Sequence, residues 1–431
     1  MSLKSLFRTC IQFILAYNYS QAYAQETGVN GDRTDEQEKK ALPENTLQTA
    51  PREISFNLGT IYTYENNDNV WSSLQQLLGK GSDELGVEKG WDENVGGRIG
   101  LTLASLYFSI GIQYYKHELA HEFSESAREF SIDFTSWGKS SILGLYPKYV
   151  AEKTPDMSFQ EAKDKIITAK DGLNQDAYTA YTTWRRCALN RSCIFDDSTY
   201  FLVHKFFDLE YFISTYTSQD IDDNYGERKH QFYFDDVDGY LHALENENIS
   251  LSKGEYLGQV LVADLASWHT WESIYSVFAY LVDGERTTKT TTIEAGAIKF
   301  TPPLISLYLT PKGGFYDTNT LFFYGGKSIQ LSVGTDLDFA GGGELNTLRA
   351  GGEFNGVNIS PLRISPFFYV NLERDSFGYK GLSAGIESFL GLTSSTSLSA
   401  KLEYNTNDVL ENTIKLKEEG VNVVAGVDAR F

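Results

Sequence analysis

The chain has 431 residues, enough for two or three domains or for one domain with a large insertion. Hydrophobic residues make up 41% and charged residues 22%, which excludes a wholly disordered chain. The formal charge of −21 removes the basic footprint that nucleic-acid binding requires, and 27 Tyr and 27 Phe against 2 Met suit β-structure better than a helical bundle.

Residues 1–24 are expected to be a signal peptide. Lys4 and Arg8 supply a positive start, Cys10 to Tyr17 a short apolar stretch, and Ala22-Tyr23-Ala24 an A-x-A cleavage pattern. Export would leave Cys187 and Cys193 as an even pair. They lie within Cys-Ala-Leu-Asn-Arg-Ser-Cys, which fits a small disulfide loop in an oxidising compartment. A zinc pair is the weaker alternative, because no His lies beside them in sequence. Residues 25–51 are polar and charged and read as a flexible linker. Residues 52–96 are assigned to an N-terminal strand and a connection, with Ile54, Phe56 and Leu58 alternating against Ser55, Asn57 and Gly59.

Residues 97–284 form a helical domain in this reading. Ser158 to Glu161 is a capping box ahead of one helix, and 197–217 and 252–283 carry apolar residues at helical spacing. Within this domain lies His117-Glu118-Leu119-Ala120-His121. On a helix, residues i and i+4 share a face, so both imidazoles can reach one Zn²⁺ while Glu118 polarises its water. Ile99 to Tyr115 has no charge, and the stripe Leu103, Tyr107, Ile110 and Tyr114 continues into the two histidines. That predicts His117 and His121 on the same buried side as the apolar residues. A solvated, salt-bridged turn with Lys116, Glu118, Glu122 and Glu125 is the bland alternative.

The pentapeptide resembles the motif of the zincin metallopeptidases, in the manner of the gluzincin branch. The longer metzincin pattern is not met, because its downstream Gly and His are missing after His121. The resemblance implies a peptidase in which His117 and His121 bind zinc and Glu118 is the general base. It also implies an acidic third ligand on a later helix. Asp176 is the first choice, expected to open a helix after Gly172 to Gln175. Asp264 and Glu272 are rivals on the 252–283 helix. A helix-end charge is the plain alternative for Asp176, and a structural polar network for the other two. His204 and Asp208 form an i, i+4 pair, read as a local hydrogen bond or as support behind a metal ligand.

Residues 285–431 are assigned to a C-terminal β-barrel region, in which the period becomes two from about residue 291. Ile329, Leu331, Val333, Leu337 and Phe339 alternate with polar residues, as do Leu398, Ala400, Leu402 and Tyr404. Gly and Asn/Asp punctuate the runs, which gives about 10–12 long strands. The terminal run Val421, Val423, Ala425, Val427, Ala429, Phe431 resembles the C-terminal signature of bacterial outer-membrane β-barrel proteins, and the resemblance covers roughly 291–431. A soluble sandwich is the alternative.

The expected architecture is therefore α+β: an antiparallel transmembrane β-barrel with a large helical insertion carrying the H-E-x-x-H helix. The expected function is an exported, outer-membrane, zinc-dependent metallopeptidase. Its partners would be membrane lipid and a peptide or protein substrate, with no nucleic acid. The alternative is a non-enzymatic channel or structural barrel with a helical plug.

Overall fold

The computed structural model describes residues 53–59, 64–126, 136–137, 147–148, 162–209, 236–246, 249–310, 313–325, 327–338, 344–355, 357–359, 362–373, 378–393, 396–406 and 420–430. All belong to one compact unit, Thr49–Phe431. The signal-peptide and linker expectations, the capping box at 158–161 and the terminal Phe431 lie outside the described residues.

The fold is α+β. Strand β1 (Glu53–Gly59) is followed by helices α1 (Tyr64–Asp83) and α2 (Val95–Ser126). Helix α3 (Ala162–Asn190), strand β4 (Ser192–Ile194) and helix α4 (Phe195–Lys205) come next, after the short pair β2 (Ser136–Trp137) and β3 (Pro147–Lys148). Helices α5 (Asp236–Asn246), α6 (Lys253–Ala266) and α7 (Trp268–Asp283) complete the helical part. Strand β5 (Thr287–Lys289) pairs with β4.

Helix α1 falls where a connection was expected. Its buried face is Asp68, Trp71, Ser72, Gln75 and Gln76, at three- and four-residue spacing. The period is helical but the buried residues are mostly polar, so hydrophobic patterning cannot reveal it. The 252–283 segment forms two helices, broken at Ser267. A capping box at Ser252 and Glu255 opens α6, and the Ser267 hydroxyl donates back to the Ala263 carbonyl.

The remaining strands build one 12-stranded sheet whose main path runs β1-β16-β15-β14-β13-β11-β10-β9-β7-β6. Besides β1, its members are β6 (Ile293–Ala295), β7 (Ile298–Phe300), β8 (Leu304–Thr310), β9 (Gly313–Tyr324), β10 (Lys327–Asp338), β11 (Glu344–Asn355), β12 (Val357–Ile359), β13 (Leu362–Glu373), β14 (Gly378–Gly391), β15 (Thr396–Thr406) and β16 (Gly420–Arg430). Strand β12 pairs with β13, and β8 with β9. The first strand pairs with the last, Phe56 facing Val427 and Leu58 facing Ala425. Among the described residues no ladder joins β1 to the β6–β8 edge.

Side-chain burial on β10–β16 is inverted relative to a protein in water. Ile329, Leu331, Val333, Phe368, Ile386, Leu398, Leu402 (56% exposed), Val421 (66%) and Val423 point outward. Gln330 (0%), Ser332, Arg349, Ser365, Asn371 (0%), Ser383, Glu403, Asn405 and Asp428 are buried. Soluble proteins place these classes the other way round. Strands β8 and β9 differ, because helices cover them. Leu307, Leu309 and Tyr316 pack with Leu173, Tyr240, Tyr256 and Val260. Leu304, Leu321 and Phe323 pack with Trp184, Ala188 and Phe201. Burial of each such side chain stabilises the fold by about 1.5–3 kcal/mol.

The buried polar face of the sheet meets α3. Arg185 donates to Gln330 Oε1 at 3.0 Å and to Glu353, and Gln330 donates on to Asn319 at 3.0 Å. Asp317 accepts from Asn319 at 2.8 Å and from Ser332 at 2.6 Å. Gly334 lies beside this cluster, where a Cβ would overlap the Phe315 ring.

Candidate functional site

The H-E-x-x-H pentapeptide lies within the last third of α2. Asn94 Oδ1 accepts the Gly97 N–H at 2.7 Å, which satisfies one free donor of the first turn. The face that α2 buries is Leu101, Ser105, Ser109, Ile112, Gln113, Lys116, His117 and Ala120. The expected apolar stripe is corrected in part: Leu103 is 59% exposed, whereas Tyr107, Ile110 and Tyr114 are half-buried and Tyr114 packs against the core; Val95, Ile99, Leu106 and Phe108 also face outward. His117 is thus buried among polar residues. The polar face is the one that packs on α3 and α4, and the apolar face is left outside. The span Val95–His117 is long and apolar enough to cross a membrane by length and composition. The backbone of α2 continues through Glu118 and His121, whose side chains lie outside the described residues.

Asp176 lies in the middle of α3, not at its start, because the helix runs unbroken through Gly172. There it faces α2. Its Oδ2 lies 2.7 Å from His117 Nδ1 and accepts from Gln113 at 3.2 Å. Its Oδ1 lies 2.6 Å from His204 Nδ1. Burial alone would raise this carboxyl, but the bonds from His117 and His204 outweigh it and hold Asp176 below the usual carboxylate range. His117 Nε2, in turn, lies 2.7 Å from Asp236 Oδ2 at the start of α5. The imidazole is fully buried between two carboxylates, with the Phe207 ring edge-on at 4.9 Å.

His204 gives its Nδ1 to Asp176 rather than to Asp208, so the expected i, i+4 bond is replaced by a longer-range one. Burial depresses its pKa, which leaves a neutral ring that donates from Nδ1. Its buried Nε2 has no hydrogen-bond partner among the described residues.

Immediately before His117 in sequence, Lys116 is fully buried and donates to Asp68 and Thr179, while Thr182 donates to the other Asp68 oxygen at 2.7 Å. A hydrophobic replacement of Lys116 leaves the Asp68 charge buried without its ammonium. Lys116→Met is expected to destabilise the protein by about 3–5 kcal/mol in urea unfolding. Adding Asp68→Leu should recover most of that loss.

The rival carboxylates are placed elsewhere. Glu272 pairs with His269 at 2.6 Å. Asp264 sits 3.6 Å from Lys205, and burial pushes its carboxyl up to about 6 from an ordinary 3.8. Asp208, close to both, is raised well above its ordinary range by burial and then by Asp264 and Asp176. A raised carboxyl favours the folded state only while protonated. The Asp264 contribution is therefore full below about pH 4 and is lost as pH rises through about 6, a change of roughly 3 kcal/mol. Asp264→Asn should flatten the stability profile across that window, as measured by thermal unfolding against pH.

Burial alone would lower the His117 pKa, but the bonds from Asp176 and Asp236 outweigh it and hold the ring well above its ordinary value, so a zinc ion there would have to displace a ring proton. A neutral imidazole that binds metal through one nitrogen commonly gives its other N–H to a carboxylate, and Asp176 on Nδ1 fills that place. Nε2 faces the Asp236 carboxylate, so a cation there would take the place of the second ring proton. Asp236, 119 residues from His117, carries no local sequence signal and was missed.

No family model matches this sequence, no curated protein matches it, and no solved structure matches its fold.

Proposed function

We propose that the chain is an outer-membrane zinc-dependent metallopeptidase whose helical domain is held against the polar face of a lipid-embedded β-wall. The observation that carries the catalytic reading is the chain Asp176–His117–Asp236, in which one carboxylate orients the imidazole and another faces its second nitrogen. In this reading His117 and His121 hold zinc. Asp236 is the acidic third ligand in preference to Asp176, because both Asp176 oxygens already serve His117 and His204. Zinc, when bound, supplies a Lewis acid that brings the pKa of a water towards neutrality. Asp176 fixes the His117 ring and its tautomer. Glu118, beside His117 in the motif, takes the proton from the attacking water.

The membrane reading rests on the inverted burial of β10–β16. Apolar residues outside and polar residues inside are what a β-wall in lipid needs. Strands of 11–14 residues extend about 36–46 Å, enough to cross an apolar core of about 30 Å when tilted. Closure of this sheet into a barrel, export by residues 1–24 and an outer-membrane location belong to the same proposal.

A second reading is a barrel plugged by its helices, without enzymatic activity. The anchoring of α3 to the sheet through Arg185, Gln330 and Glu353 favours it, as does the complete burial of His117. Elemental analysis of the purified protein separates the two. One zinc per chain, lost in His117→Ala, supports the enzyme. A metal-free parent that still purifies with the membrane supports the plug.

A further inference from the structure

A second group of metal-ligating side chains lies away from His117. Cys187, in the last turn of α3, and Cys193, in β4, have Cα atoms 4.7 Å apart and their sulfurs at disulfide-bonding distance. Helix α7 brings His269 to them, so that a ring nitrogen and both sulfurs all lie within 4.8 Å of one another. All three residues are buried. Sequence spacing showed no His beside the cysteines. The structure supplies one from 76 residues beyond Cys193.

The His269 ring is held as a metal-binding imidazole is held. Its Nδ1 lies 2.6 Å from Glu272 Oε2, and the other Glu272 oxygen accepts the Thr291 N–H at 2.6 Å. That bond places the ring proton on Nδ1 and leaves the lone pair on Nε2. His269 is only 4% exposed, and its Nε2 has no hydrogen-bond partner among the described residues. Burying such an acceptor unmatched costs about 1–3 kcal/mol. A closed disulfide has no proton to give it. Ser198 donates to Cys193 Sγ at 3.4 Å, a contact that favours a thiolate there once the bond is open.

We infer that Cys187, Cys193 and His269 form a thiophilic metal site closed by the disulfide and opened by a dithiol reductant. The reductant gives two electrons and two protons and becomes a disulfide itself, while Cys187 and Cys193 become thiols. An incoming ion of the zinc(II) or copper(I) class displaces both thiol protons and takes His269 Nε2 as its third ligand. Glu272 is a positioning residue that fixes the ring.

The test uses the full-length protein and Cd²⁺ as probe, with and without prior reduction under anaerobic conditions. The reduced protein should bind one more Cd²⁺ than the unreduced protein, with an ultraviolet thiolate-to-cadmium band. Glu272→Gln should weaken that binding by about 10–100-fold, and His269→Gln by at least as much. The Cys187→Ser, Cys193→Ser double variant should lose this equivalent and the band, while keeping any metal bound at His117. The inference is overturned if reduction adds no equivalent, if the band survives both cysteine substitutions, or if Glu272→Gln and His269→Gln both bind Cd²⁺ as tightly as the parent.

Discussion

Replacing Leu331 and Leu402 together by Arg should abolish stable insertion of the protein into lipid. Both side chains are exposed near the middle of their strands, β10 and β15. On the surface of a protein in water, each substitution would change stability by less than about 0.5 kcal/mol. At the midplane of a bilayer each Arg costs about 2–4 kcal/mol. The two strands stand four ladder steps apart, roughly 19 Å, so the costs should add to about 4–8 kcal/mol. The measurement is recovery of heat-modifiable, protease-resistant protein from phospholipid vesicles after refolding. As a control, Ser383→Thr changes a buried polar position on the inner face and leaves the outer face untouched. Wild-type recovery of the double-Arg variant, or a parent that stays soluble without lipid or detergent, refutes the membrane reading.

The same inversion explains what the sequence revealed and what it concealed. Alternation of period two survives whichever face is buried, so the strands at 327–338, 396–406 and 420–430 fall within a residue or two of where the pattern places them. The sign of the alternation does not tell which neighbours cover the inner face. Arg185 reaching Gln330 and Glu353 joins α3 to two strands across 145 and 168 residues, and no local pattern records that. In α2 the apolar stripe was legible, but the outward turn of its first member, Leu103, was not. Leu103 faces out because Ser105, Ser109 and Gln113 face the polar helices beneath. At the candidate site, the zincin resemblance pointed to Asp176, which does lie beside His117, but in the middle of a helix rather than at its start and as the partner of Nδ1. His204 chose the distant Asp176 over the adjacent Asp208, since Asp176 sits where two buried imidazoles can share one carboxylate. Such choices are made by three-dimensional burial and leave no trace in spacing.

Glu118→Gln should retain zinc and fold while lowering peptide hydrolysis by about 10²–10⁴-fold, the usual contribution of a positioned general base. The substitution keeps the size of the side chain and removes its basicity. Metal content depends on different residues. His117 is held by Asp176 through Nδ1 whether or not position 118 can accept a proton, so the ligand nitrogen stays aimed at Asp236. Asp176→Asn tests that division from the other side. It leaves a side chain of the same shape but removes the charge that orients two imidazoles, and should lower zinc affinity about 10–100-fold with Glu118 intact. The two variants should therefore fail differently: Glu118→Gln metal-loaded and inactive, Asp176→Asn active only when zinc is supplied in excess. Hydrolysis of a mixed peptide library and zinc titration on the same preparations read both quantities. Equal hydrolysis by parent and Glu118→Gln would remove the base from the mechanism. The Asp176–His117–Asp236 chain would then stand as a buried polar network that fixes α2, α3 and α5 against one another within a plugged barrel.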